Sequence, residues 1–170
     1  NRNATFLLYS MIQGFTETGI SAMISTEDNR IDTTVPSTQI RFLVKFINDL
    51  DGSVQYSYSI LANGIKPRYT DMAFLYSITP DVYNGSTKLF PAGHWKYEVY
   101  EVSWTGTVVI SLGTAPATEV DVLPVEHTNG VVQGIVTKGI LNLTERDGTE
   151  QVQYTQHPEP SEDNFIYYGQ

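Results

Sequence analysis

Three histidines, His94, His127 and His157, are the first places to seek acid–base or metal chemistry in this 170-residue chain. They stand far apart and in unlike contexts. None is paired at the i, i+4 spacing that puts two imidazoles on one helix face, and no zinc spacing occurs. His94 beside Gly93 reads as a turn residue, and His157 before Pro158 as a solvent-facing one. Cysteine is absent, which removes disulfides, thiolate metal sites and cysteine nucleophiles. The run Asp49-Leu50-Asp51-Gly52-Ser53 sets two carboxylates two apart, a weak match to a calcium loop. It lacks the third oxygen ligand before glycine and the closing bidentate glutamate, so a hairpin turn is the better reading. Glu98 and Glu101 are a carboxylate pair of the type glycoside hydrolysis uses, but acids on the open face of a strand are far commoner. No nucleophile elbow, phosphate loop or dinucleotide fingerprint occurs. Trp95, Trp104, Tyr83 and Tyr100 are candidates for stacking on sugar, although strand aromatics more often fill a core or a subunit contact. The sequons at Asn3, Asn84 and Asn142 arise readily by chance in a chain this rich in Ser, Thr and Asn. The expectation is therefore a protein that is not an enzyme, with no catalytic residues, no metal and no cofactor.

Composition narrows the partners. Ten Lys and Arg stand against nineteen Asp and Glu, a formal charge of −9. Duplex DNA needs clustered cations to neutralise phosphates, and none cluster here, so DNA is not expected as the main partner. No apolar run approaches the roughly 18 residues of a membrane span, so no membrane partner is expected. No charged-then-apolar leader opens the chain. It begins with Asn1, which fits a processed product, a fragment, or numbering that follows an initiator. The apolar share is 41%, enough for one sizeable core. Eleven tyrosines, seven phenylalanines and two tryptophans favour strands. No sustained helical spacing occurs.

Strands must then hold whatever these side chains do. Residues 1–35 read as an N-terminal arm: 4–12 has the length and apolar content of a buried strand, and 25–38 is polar linker. In 39–47, Ile40, Phe42, Val44 and Phe46 alternate with Gln39, Arg41, Leu43 and Lys45, which predicts a half-buried strand. Residues 53–61 alternate Val54, Tyr56, Tyr58 and Ile60, and 63–68 form a turn around Asn63-Gly64. A strand is expected over 69–78, a loop over 79–87, a strand over 95–104, and another over 108–113 after a short turn. Pro116 and Pro124 break the rhythm, so 114–130 should cross a surface. Residues 131–155 read as a strand and a hairpin turning at Asp147-Gly148.

Regular short strands predict an all-β protein, an antiparallel sandwich. Leu89, Gly93 and Tyr97, followed by Val99, resemble the tyrosine corner of immunoglobulin-like and fibronectin-like domains. There a tyrosine near the start of a late strand ties back to upstream backbone, and Val99 would take the buried place of an antibody cysteine. An ordinary turn before an aromatic strand stands as the alternative. The fold class expected is an immunoglobulin-like antiparallel β-sandwich over 36–113, with the arm before it and a C-terminal extension over 114–170 carrying a hairpin and an aromatic tail. Phe6, Leu7, Leu8 and Tyr9 in the arm, and Phe165, Ile166, Tyr167 and Tyr168 in the tail, are the expected assembly contacts.

Residues 48–104 and 138–170 resemble small virion proteins of tailed bacteriophages, including those of Bacteroidetes hosts. The matching elements are the Asp51-Gly52 turn, the Arg68-Tyr69 strand start, the Leu89-x-Pro91-x-Gly93-x-aromatic corner, and the Gly139-x-Leu141 hairpin with its aromatic terminus. The likeness covers about half the chain and contains no catalytic signature. It implies a structural component of a virion assembled in the host cytoplasm: a head decoration, auxiliary capsid or neck protein. The implied partners are further copies of the chain, as a homo-oligomer, and other virion proteins such as the major capsid or neck proteins. A carbohydrate-binding or adhesion module is the rival expectation.

Overall fold

The computed structural model describes residues 10–146. Nine strands run in chain order: β1 (Ser10–Phe15), β2 (Ile20–Ile24), β3 (Ile40–Asn48), β4 (Val54–Tyr58), β5 (Ile60–Ile65), β6 (Thr70–Tyr76), β7 (Ser86–Thr87), β8 (Gly93–Ser103) and β9 (Val131–Thr144). They make two mixed sheets. The larger has the order β1-β9-β8-β3-β4, with β1 parallel to β9 and the other neighbours antiparallel. The smaller has the order β2-β6-β5, with the short β7 parallel to β6.

The alternation in β3 explains why the sheets pack. Ile40, Phe42, Val44 and Phe46 are buried and face the smaller sheet, where Ile20, Ile24, Met72 and Phe74 belong to the same cluster. Register carries that face across the larger sheet: Val44 lies opposite Val99, Phe46 opposite Tyr97, and Trp95 opposite Leu141. Phe46 and Phe74 meet edge to face with centroids 5.2 Å apart, an arrangement ring quadrupoles favour. Each such buried side chain contributes about 1.5–3 kcal/mol of transfer free energy. The larger sheet has a second apolar cluster, with Leu43, Tyr58, Val102, Trp104 and Ala115 buried beneath residues 104–130.

Three expectations are corrected. The single strand over 53–61 divides at Ser59, whose N–H donates to the Phe42 carbonyl at 3.0 Å, and the chain passes from one sheet to the other. Both sides are covered at that crossing, so Ser57, Tyr58 and Ser59 are all buried while Val54 and Ile60 are exposed. The turn over 63–68 starts later: β5 runs through a bulge to Ile65, Gly64 takes φ +74°, and the reversal closes by Lys66 N–H to the Tyr69 carbonyl at 3.0 Å. Residues 108–113 form no strand. Both neighbours of β8 are already in place, β3 and β9, so Val108 and Ile110 pack on a sheet face instead of adding to an edge.

Residues 114–130 hold no strand. The sheets draw on all three stretches into which the sequence divides: β1 and β2 come from 1–35, β3 to β8 from 36–113, and β9 from 114–170. In the larger sheet β9 fills the place between β8 and β1. Residues 4–9 of the expected N-terminal strand and the expected hairpin turn at Asp147-Gly148 lie outside the described residues.

Candidate interaction surface

The expected assembly contacts Phe6, Leu7, Leu8, Tyr9, Phe165, Ile166, Tyr167 and Tyr168 lie outside the described residues, as does His157. The corner residues are placed. Leu89 is buried, Phe90-Pro91 is cis, and Gly93 opens β8 at φ +134°. Tyr97 is buried in β8. Beside it in the same strand, the Trp95 indole N–H donates to the Pro91 carbonyl at 3.0 Å. Strand alternation sends Trp95 and Tyr97 to the same inner face.

Glu98 and Glu101 do not converge. Glu98 pairs in register with Lys45 on the outer face of the larger sheet, whereas Glu101 lies opposite Phe42. Glu101 is fully buried and accepts from the backbone N–H groups of Ile31 at 3.2 Å and Asp32 at 2.7 Å. It fixes the turn before β3, helped by the Ser103 hydroxyl donating to Asp32 at 3.0 Å. The sugar-stacking candidates are also occupied. Trp95 and Trp104 are core residues, and the Tyr100 hydroxyl donates to Glu98 at 2.7 Å. Tyr83 stacks on Tyr58 with centroids 6.5 Å apart. In the Asp49–Ser53 run, Leu50 N–H donates to Asn48 Oδ1 and Ser53 N–H to Asp51 Oδ1, each at 2.8 Å, as in a turn. Among the described residues no group of His, Asp and Glu is arranged to hold a metal.

What the fold does build is a segment clamped across the outer face of the larger sheet. Trp104, Val108, Ile110 and Ala115 anchor it in the second apolar cluster. The Tyr58 hydroxyl donates to the Pro116 carbonyl at 2.6 Å. Glu119 then reaches down to Lys45 at 2.7 Å and accepts from the Tyr56 hydroxyl, while Lys45 also stands 4.0 Å from Glu98. The hydrogen bond to Glu119 holds the Lys45 ammonium above its ordinary pKa. Burial and then Glu119 push the Tyr56 phenol up to about 12. Burial by itself would raise Glu119, but the bonds from Lys45 and Tyr56 outweigh it and the carboxyl lies below its ordinary value. Asp121 closes a local turn by accepting from the Ala117 and Thr118 N–H groups, and Asn129 Nδ2 donates to the Pro124 carbonyl at 2.8 Å.

On this anchored segment stand Leu112, Val120, Val122 and Val125, exposed by 85, 77, 92 and 102%. Four large apolar side chains held out to water on a segment anchored by its own apolar and ionic contacts are more than the scattered single exposures usual on a surface. Sequence reading missed this row because it took 108–113 for a strand and 114–130 for a plain crossing; the alternation Val120-x-Val122 and the adjacent Val125 were the available signal.

No family model matches the chain, and neither the curated proteins nor the solved structures compared with it give a match.

Proposed function

We propose that this protein is a non-enzymatic structural component of a bacteriophage virion, a capsid decoration, auxiliary or head–neck protein, that acts by gripping copies of itself and other virion proteins. In this reading the sandwich is immunoglobulin-like. Its support is connectivity. β3, β8 and β9 lie side by side in the order of strands C, F and G; β4 extends that sheet at the C′ place; and β2, β6 and β5 take the order B, E and D. Residues 104–130 then correspond to the F–G connection, one of the loops through which immunoglobulin variable domains meet their partners.

The observation that carries the reading is the exposure of four aliphatic residues on that connection, Leu112, Val120, Val122 and Val125. Burying four such side chains in a neighbour would contribute roughly 6–12 kcal/mol gross. Association itself costs about 4–15 kcal/mol, so this row alone makes a weak contact, and a particle joins weak contacts by repetition. The arm and tail residues, Phe6 to Tyr9 and Phe165 to Tyr168, are the second set of grips.

The test replaces Leu112, Val120, Val122 and Val125 together with serine, and separately deletes residues 163–170. The serine variant should stay within about 2 kcal/mol of wild type in urea, since exposed positions shift stability by about 0.5 kcal/mol or less each. Self-association in sedimentation runs should fall at least about tenfold for the serine variant, as should the copy number carried into purified particles. Wild-type association by both altered chains would overturn the reading.

A further inference from the structure

A cleft at the passage from β4 to β5, lined there by Tyr58, Ser59 and Ile60, holds about 570 Å³. That is within the range of small-molecule sites. Arg41 lines it together with Ser37, Thr38, Tyr83 and Asn84, and Ile60, Leu61, Ile65 and Ile110 give it an apolar wall. No aspartate or glutamate lines it, although the chain carries a net charge of −9.

Arg41 is half-buried and aimed by the backbone. Its Nη1 donates to the Thr38 carbonyl at 3.1 Å and to the Ile40 carbonyl at 2.7 Å. A guanidinium has five N–H donors in a planar fork, so these two bonds leave the Nε and Nη2 edge. Among the described residues no carboxylate forms an ion pair with it. Burial pushes the guanidinium below its ordinary pKa, with no acid acting to restore it. The two carboxylates that act on neighbouring Tyr83, Asp121 and Asp81, are taken up by their own turns. A desolvated cation without a counter-charge is costly to keep, and an oxyanion that sets two of its oxygens on the free edge offsets that cost with two parallel charge-assisted bonds.

We infer that this cleft binds a small hydroxylated ligand bearing one oxyanion, a sugar acid or a sugar phosphate, with the oxyanion held side-on by Nε and Nη2 of Arg41. Ser37, Thr38 and Asn84 line the same cleft and supply polar groups for the ligand's hydroxyls, Asn84 through its NH2 because its Oδ1 already accepts from Ser86, and the isoleucines and Leu61 cover its carbon face. The inference is independent of the assembly reading, since none of the four aliphatic residues of the row lines the cleft.

The experiment titrates the full chain with glucuronate, glucose 6-phosphate and neutral glucose, followed calorimetrically and by the NMR signal of the Arg41 Nε–H. At least one charged sugar should saturate the protein at or below about 1 mM and shift that signal, while glucose does not. Whichever of the two charged sugars binds tighter identifies the oxyanion as carboxylate or phosphate. Arg41→Ala should weaken binding roughly tenfold to a hundredfold, as loss of hydrogen bonds to a charged group does. Arg41→Lys keeps the charge and stem but loses the fork, and Ser37→Phe fills the rim while leaving Arg41 in place; each should also lose at least about tenfold. These two keep the test open if the alanine variant fails to fold. Equal binding of glucose, charged-sugar binding that survives Arg41→Lys and Ser37→Phe, or no saturation by any of the three sugars would each overturn the inference.

Discussion

Glu101 and Glu119 show how far one residue type can diverge within a single sheet system. Glu101 is enclosed and spends both oxygens on backbone N–H groups, so it shapes a turn. Glu119 is half-buried and sits between an ammonium and a phenol, so it responds to pH. The signs can be worked out group by group. Lys45 and Tyr56 hold their protons more tightly in the folded chain, so what they contribute is complete below about pH 10 and is lost as pH rises through the Tyr56 value of about 12. Glu119 and Asp32 hold theirs less tightly; the hydrogen bonds from Thr34 are the leading cause for Asp32. Their contribution is present above about pH 4 and is lost as pH falls through the lowered folded values. Glu119→Gln should therefore cost about 2 kcal/mol at neutral pH and flatten both the acid and the alkaline limb. Urea midpoints at about pH 3, 7 and 11 check this, and an unaltered pH profile would show that the three groups are not linked.

At the scale of elements, β9 decides the architecture. It lies between β8 and β1, and its inner residues Val136, Leu141 and Leu143 are part of the main core. Without it, the long edge of β8 loses its ladder and β1 has no neighbour in its sheet. A fragment of residues 36–113 should then fail to fold cooperatively, because unpaired backbone groups and an open apolar face leave too little to offset chain entropy. Far-UV circular dichroism and amide dispersion of that fragment are the measurements; a cooperative melt would show that β3 to β8 suffice alone. The division at Ser59 belongs to this scale as well. Local alternation is the same on both sides of it, and the change of sheet is set by which neighbours each half finds, β3 before and β6 after.

For the whole molecule, two forces would compete over the proposed association. A net charge of −9 repels like copies, while the row of Leu112, Val120, Val122 and Val125 gains by leaving water. Salt screens the first and leaves the second intact. Self-association through this segment should accordingly strengthen by several-fold between about 0.02 and 0.5 M salt. Sedimentation over that range measures it, and weakening with salt would point to ionic contacts in place of the aliphatic row.

By itself the sequence determined the all-β class and the inner face of β3, since a period of two with Ile40, Phe42, Val44 and Phe46 on one side needs no partner to be recognised. It likewise placed the aromatic start of β8 and the absence of strand over 114–130, because prolines, glycines and β-branched runs act over a few residues. Only the tertiary structure decided the rest. That 108–113 packs on a sheet face and that β1 runs parallel to β9 both depend on residues distant in sequence filling or leaving a neighbouring place. The same holds for Arg41, one polar residue of an alternating strand in the sequence, which becomes a half-buried cation in a cleft only when Ser37, the Ser59 crossing and Tyr83 are folded around it. Local propensity is written in neighbours along the chain, whereas burial and electrostatic isolation are properties of neighbours in space.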